Sequence, residues 1–246
     1  MQKYRYTIIF VLILSATSAL ILAGMYTGLK DIHEKNALLF KKRVILEAVS
    51  PLLDKPVSSL SDEEVEQIFQ KNINQEVLDM NGQVVDASKV AAAGYKKGDA
   101  LSLDMAKEFK KPEDKRLLPL FIYKKGDKEY YITGVIGRGL WDLIWAYVTL
   151  DSDKNTIAGI AFEHIGETPG LGAEIKDNPS FGKQFIGKKI HDEQGKYHSI
   201  TVRKGGAKDP VFEVDAISGA TLTSDGVTEM LQRSMKYYDP FFNKSK

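Results

Sequence analysis

Between Val214 and Val227 the chain reads VDAISGATLTSDGV, and four hydroxyl side chains, Ser218, Thr221, Thr223 and Ser224, crowd together with Gly219, Ala220 and Leu222. A strand-to-helix turn uses small residues, and a hydroxyl caps the first helical turn. The same residues at a helix start can also hold an anion, because the first amides lack partners and the helix dipole is positive there. Residue types alone leave open which of the four hydroxyls would serve.

Two further stretches carry glycines beside side chains able to make a site. GRGLWD, Gly137 to Asp142, is a tight strand-to-strand connection that presents Leu140 and Trp141. An aromatic there either packs in the core or offers a stacking surface, and spacing alone favours the core. In EHIGETPGLGAEI, Glu163 to Ile175, Pro169-Gly170 predicts a type II turn, and Gly172 lets the backbone turn again or approach a ligand closely. Glu167 and Thr168 flank that turn, which could equally be ordinary surface.

Other chemistries are poorly supported. Glu163 and His164 are neighbours in a strand and point to opposite faces, and His33, His191 and His198 make no ligand spacing, so no metal site is expected. No GxSxG is present, no histidine stands in a recognisable relation to Ser218 or Thr221, and the glycines of GRGLWD complete no dinucleotide or phosphate loop. With 34 basic against 33 acidic residues, no field strong enough to gather nucleic acid is implied. The chain has no cysteine, which excludes disulfides, thiolate catalysis and cysteine-ligated iron–sulfur clusters; electron chemistry would need an organic cofactor or a metal without sulfur ligands.

These residues must be positioned by a 246-residue chain, long enough for one large domain or two small ones. Tyr6 to Leu29 carries no charge, and as a helix rising about 1.5 Å per residue it spans a hydrocarbon core of roughly 30 Å. The apolar run continues past Ala16 to Ala19, the candidate cleavage site of a signal peptide, so a transmembrane anchor is the preferred reading. Lys3 and Arg5 before the span are offset by Lys30, Lys35, Lys41, Lys42 and Arg43 after it, and charge counting does not settle orientation.

The segment from Lys30 to Ser50 keeps helical spacing and reads as a link between anchor and body. Ser61 and Glu64 form a capping box, and Asn81-Gly82 predicts a type I′ hairpin. From Leu117 onward three pairs of strands are expected, LPLFIYKKGDKEYYITGVI around Gly126-Asp127, IWAYVTLD with TIAGIAFEHI, and HSITVRKG with PVFEVDAI. A last helix, beginning near Ser224, places Val227, Met230, Leu231 and Met235 on one face, and the tail KYYDPFF packs on it or faces a partner or the membrane interface. The fold class is α+β: a single N-terminal transmembrane helix, then a largely antiparallel sheet with flanking helices. The expected divisions are 1–29 (cytoplasmic tip and span), 30–115 (linker helix and a small α/β portion) and 116–246 (ligand-binding domain).

Taken together, DAISGATLTS (Asp215 to Ser224), HIGETPGLGAEI (His164 to Ile175) and GRGLWD resemble the FMN-binding-domain family, and within it the C-subunits of the sodium-translocating NADH:quinone oxidoreductases. The likeness extends over the N-terminal span and LLFKKRVIL. It implies FMN esterified through its phosphate to Thr221 by a dedicated flavin transferase acting outside the cytoplasm, with Asp215, Ser218, Gly219 and Ala220 completing the pattern that the transferase reads. It also implies that Glu167, Thr168, Leu171, Gly172, Leu140 and Trp141 border the ring, with Leu222 and Thr223 beside the attachment point. Lys204 would favour negative charge on the reduced ring, against a plain reading as a solvated charge.

As implied, the chain is a single-pass protein of the inner membrane whose domain lies on the periplasmic side. It would relay single electrons from an iron–sulfur donor to a membrane flavin subunit within a six-subunit, sodium-exporting complex in contact with membrane lipid, and would not itself oxidise NADH. The G-subunit of the related ferredoxin:NAD electron-transport (Rnf) complex is the alternative; a tethered module without flavin is a second.

Overall fold

The computed structural model describes residues 2–95 and 97–243. Two compact units divide the chain, residues 1–40 and residues 41–246. Helix α1 (Gln2–Glu47) supplies all that is described of the first unit and opens the second. Within the first, every side chain from Tyr4 to Ala37 is exposed, Ile8 to Leu14 and Leu20 to Leu22 included. The hydroxyls of Thr17 and Thr27 donate to the carbonyls of Ile13 and Ala23 at 2.8 Å, so these polar groups are satisfied inside the helix, as a hydrocarbon environment demands.

The second unit is organised by a five-stranded meander, β1 (Ile73–Leu78), β2 (Leu118–Lys125), β3 (Lys128–Arg138), β4 (Leu143–Leu150) and β5 (Ile157–His164), in that order and antiparallel throughout. Its inner strands read as nearly continuous apolar runs because both faces are covered. In register, Phe121, Ile132, Thr149 and Gly159 form one cross-strand row. The Thr149 hydroxyl donates to the Ala48 carbonyl at 2.7 Å, and Gly159 lies so close beneath that oxygen that no side chain would fit. Ile45, Leu46, Ala48 and Val49, all buried, therefore cap this face, with Phe69 edge-on to Phe121 at 6.1 Å. Val44 to Leu46, Ala48 and Val49, at the end of the segment expected as a linker, are core.

Phe69 belongs to α2 (Asp62–Asn72), whose Ser61–Glu64 capping box forms as expected. Short helices α3 (Ala87–Ala92) and α4 (Met105–Phe109) fill the connection from β1 to β2. The turn after β1 differs from the expected type I′: Asn81 keeps a negative φ, and only Gly82, at +67°, is left-handed. The Asp79 carboxylate accepts from the Asn81 and Gln83 amides while Gly82 N–H donates to the Asp79 carbonyl, giving a type I turn closed by a left-handed glycine.

On the opposite face lie Leu120, Val135, Ile144, Ala146 and Val148, packed with Val227, Met230, Leu231 and Met235 of α7 (Thr221–Lys236). Between β5 and this helix run α5 (Glu174–Asp177), α6 (Pro179–Lys183) and the strands β6 (Thr201–Arg203) and β7 (Glu213–Asp215). The pair β6–β7 is parallel and separate from the large sheet, unlike the hairpin expected, because the intervening chain crosses over instead of turning back. After α7 the tail folds into the core: Tyr238 and Phe242 are buried, the latter in α8 (Asp239–Asn243).

Candidate functional site

Helix α7 begins at Thr221, three residues earlier than the sequence suggested. Gly219 turns with φ +78°, Ala220 is the N-cap with no side-chain hydrogen bond, and the first helical bond is Ser224 N–H to the Ala220 carbonyl at 2.9 Å. The amides of Thr221, Leu222 and Thr223 thus form an open first turn with no capping side chain, where the helix dipole favours an anion.

The four hydroxyls separate by burial. Ser224 is 1% exposed and its oxygen accepts from the Ile217 amide at 3.3 Å, so it fastens the turn and is not turned towards an external anion. Thr223, also 1% exposed, donates to Glu167 Oε2 at 2.6 Å. Ser218 is exposed, and Thr221 is half-buried at the head of the helix.

Glu167 is the centre of this region; the sequence marks it as a polar flank of a turn, and the resemblance as a residue bordering the ring. It is buried, with Oε1 accepting from the Trp141 amide at 3.0 Å and Oε2 from Thr223. Its own amide donates to His164 Nδ1 at 3.2 Å. The close approach expected of Gly172 towards a ligand is made to this carboxylate: a Cβ at Gly172 would collide with Oε2 and stand 2.6 Å from the Thr223 oxygen. A Cβ at Gly139 would collide with Oε1. Neither glycine has a positive φ, so both positions are small for space and not for backbone freedom.

Around this carboxylate stand exposed apolar side chains, Leu140, Trp141, Leu171 and Leu222, with Trp141 69% exposed. The core reading of Leu140 and Trp141 is therefore corrected. A four-residue connection closed by Gly139 N–H to the Asp142 carbonyl (2.8 Å) is too short to fold its own side chains back onto the sheet. Trp141 Nε1 donates to Thr168 Oγ1 at 3.2 Å, linking the two loops from outside. The turn at Pro169-Gly170 has the type II pattern, with Gly170 at φ +73° and Leu171 N–H to the Thr168 carbonyl at 3.1 Å. It aims Leu171 at Gly219, where any Cβ would lie 2.9 Å from the leucine Cδ2.

Lys204 lies just past β6, not within it, and among the described residues it has no hydrogen bond or ion pair connecting it to these loops. Glu163 is buried and paired with Lys176 at 2.7 Å, while His164 serves the Glu167 amide, so the two neighbours point apart as their alternation required. Asp215 is held by the Ala207 amide at 2.7 Å and fixes the entry to the turn.

A family model described as FMN-binding domain matches residues 139–236, which take in GRGLWD from Gly139 onward and the other two stretches whole. The C-subunit of the Na(+)-translocating NADH-quinone reductase from Neisseria meningitidis serogroup A is 38% identical over 264 aligned positions, covering 100% of this chain and 95% of that one. The crystal structure of the corresponding subunit from Parabacteroides distasonis superposes with a TM-score of 0.73 at 35% identity, covering 87% of this chain and 96% of that one. NqrC from Shewanella oneidensis gives 0.63 at 27%, covering 83% and 97%. With an uncapped helix start, an exposed aromatic loop and this similarity along nearly its whole length, the chain belongs to the family of C-subunits of the Na(+)-translocating NADH-quinone reductases.

Proposed function

We propose that this chain is the membrane-anchored electron-carrier subunit of such a reductase, working through FMN joined by a phosphoester to Thr221. The residues present fit that group. Gly219 and Ala220 leave the approach to Thr221 unobstructed by long side chains, the open amides of the first turn suit a phosphate, and Leu140, Trp141 and Leu171 offer exposed apolar surface for a flat ring. FMN supplies the capacity to accept and hand on electrons; the chain binds, orients and partly desolvates it.

The observation that carries the choice of Thr221 is the fate of its neighbours. Thr223 and Ser224 are buried and committed to internal hydrogen bonds, and Ser218 precedes the helix, leaving Thr221 as the accessible hydroxyl that stands on the uncapped turn itself. A phosphodiester there keeps one negative charge, favoured by about 0.3–1 kcal/mol from the dipole when exposed. Trp141 and Thr168 hold each other at the edge of the platform. Lys204 has no assigned part.

The reading places residues 6–29 across the inner membrane and residues 41–246 on the periplasmic side, where a flavin transferase would act. The exchange partners are an iron–sulfur donor and a membrane flavin subunit, in keeping with a chain that has no cysteine for a cluster of its own. Residues 116–246 carry the flavin-holding loops, while β1, from the preceding portion, completes the same sheet. The Trp141-bearing loop and the names of the relatives favour the C-subunit over the G-subunit of the ferredoxin-linked complex.

Intact-mass measurement of the full chain co-expressed with a flavin transferase tests this reading. The wild type is expected to gain one FMN phosphoryl adduct, Ser218→Ala to retain it and Thr221→Ala to lose it. Unmodified wild type beside an active transferase overturns the flavoprotein reading; an adduct surviving in Thr221→Ala overturns the residue.

A further inference from the structure

We infer that Glu167 is a positioning residue: one buried carboxylate joins the three segments that carry the flavin-facing groups, and thereby fixes the ring platform relative to the attachment helix. The inference rests on the flavin reading above and goes beyond it, because it gives Glu167 a role exerted through Trp141 and Thr223 and not by contact with the cofactor.

Three observations converge. Both oxygens are engaged, each by a different segment: Oε1 by the Trp141 amide in the β3–β4 connection and Oε2 by the Thr223 hydroxyl in the first turn of α7. The third segment is the one Glu167 itself belongs to, which continues directly into Thr168 and Leu171. Space for the carboxylate is cleared by Gly139 and Gly172, each of which would collide with it if it carried a Cβ. Burying a carboxylate is costly unless donors compensate it, and a fold that needed only packing here could close over an apolar side chain at less cost. The compensation comes from two different elements, the β3–β4 connection and the first turn of α7, so the group ties the exposed tip of that loop to the helix start, beyond the backbone packing of α7 on β3. Hydrogen bonds to a charged acceptor are the stronger kind, which suits a tie across loops.

The geometry also separates the variants. Gln at 167 keeps one carbonyl oxygen for the Trp141 amide, and its NH2 can donate to the Thr223 hydroxyl, which accepts as readily as it donates. Ala at 167 removes both ties, and Val at 223 removes only the tie to α7.

The test uses the full chain in detergent with Trp145→Phe as background, so that Trp141 is the only indole, and reads two signals. One is quenching of Trp141 fluorescence by acrylamide in flavin-free protein made without transferase. The other is steady-state anisotropy of the flavin after loading, with occupancy measured by intact mass. Glu167→Ala is expected to raise acrylamide quenching and lower flavin anisotropy at unchanged covalent occupancy, Glu167→Gln to restore most of both, and Thr223→Val to lower anisotropy while leaving Trp141 quenching near the background value. Should Glu167→Ala fail to fold, Thr223→Val carries the test alone. The positioning role is overturned if folded, flavin-loaded Glu167→Ala matches the background in both signals, if Gln fails to restore them, or if Thr223→Val leaves anisotropy unchanged. Absence of flavin from the parent protein counts against the flavin reading, and the acrylamide measurement still decides whether Glu167 holds the Trp141 loop.

Discussion

Gly226 of α7 lies directly against the carbonyl oxygen of Arg138 at the end of β3, so closely that a Cβ on the glycine would overlap that oxygen. One turn further on, Gly137 is pressed against Met230 in the same way, its Cβ position 2.6 Å from the methionine Cβ. The helix that bears Thr221 therefore meets the sheet backbone to backbone. Gly226→Ala sets two effects in opposition, since alanine gains about 1 kcal/mol of helix propensity whereas forcing a methyl into a packed contact costs about 1–3 kcal/mol. Because the opposing atom is main chain and cannot swing away, the clash wins. A lowered thermal midpoint in detergent is expected; an unchanged or raised one contradicts the packing described.

Tyr238 tests the tail. Its hydroxyl lies between the Gly134 amide at 3.1 Å and the carbonyls of Pro119 and Gly134, each at 2.9 Å, entirely within the core. Phenylalanine keeps the ring and removes these hydrogen bonds from the core, a loss of about 0.5–1.5 kcal/mol. Denaturant unfolding of Tyr238→Phe beside the wild type measures it, with a shifted midpoint and an unchanged slope as the expected outcome.

Ser224→Ala separates fastening from attachment. The substitution removes the acceptor of the Ile217 amide and is expected to cost about 0.5–1.5 kcal/mol. Covalent FMN should persist, since the hydroxyl lost is not the one proposed for attachment. An adduct missing from folded Ser224→Ala would mean that the turn before the helix cannot be recognised unless it is held.

Trp141 gives the converse pattern. At 69% exposure its replacement by alanine should change stability by no more than about 0.5 kcal/mol, while the bound flavin, losing a stacking surface, should show a shifted visible absorption band. A large loss of stability with an unaltered flavin spectrum would restore the core reading that the structure sets aside.

Acid should loosen the approach to the attachment turn. The Lys208 amide foremost, with the Asp209 amide and Arg203, holds the Glu213 carboxyl below its ordinary value. A carboxyl whose pKa falls on folding stabilises the native state above its ordinary titration range, and that contribution disappears as pH drops through the lowered value. The thermal midpoint of Glu213→Gln should therefore lie below that of the wild type at neutral pH, and the gap should close on acidification. A gap that widened with acid would reverse the assigned sign.

What could be read from the chain beforehand divides along physical lines. The span, the capping box at Ser61, the apolar face of α7 and the main strands rest on local periodicity and came through. The Trp141 loop misled because exposure depends on what is folded above a turn, which spacing does not encode. Glu167 reads in the sequence as a neighbour of a turn, and by resemblance as a border of the ring, but not as a hub, because its partners Trp141 and Thr223 are 26 and 56 residues away. The one local hint, glycines at 139 and 172 without a turn that needs them, is legible only once their φ values are known to be ordinary. The parallel pairing of β6 and β7 escaped for the same reason: a crossover between two short strands resembles a hairpin in sequence.

The burial of Ile45, Leu46, Ala48 and Val49 beneath the sheet bears on how the protein can be shortened. A soluble version cut after residue 40 retains the wedge that seals one face of the meander, whereas a cut at residue 50, beyond what the sequence suggested was linker, would bare Phe121, Ile132 and Thr149 to water. The foot of the anchor helix is thus a structural part of the folded body, and the practical border of the membrane segment lies well before the helix itself ends.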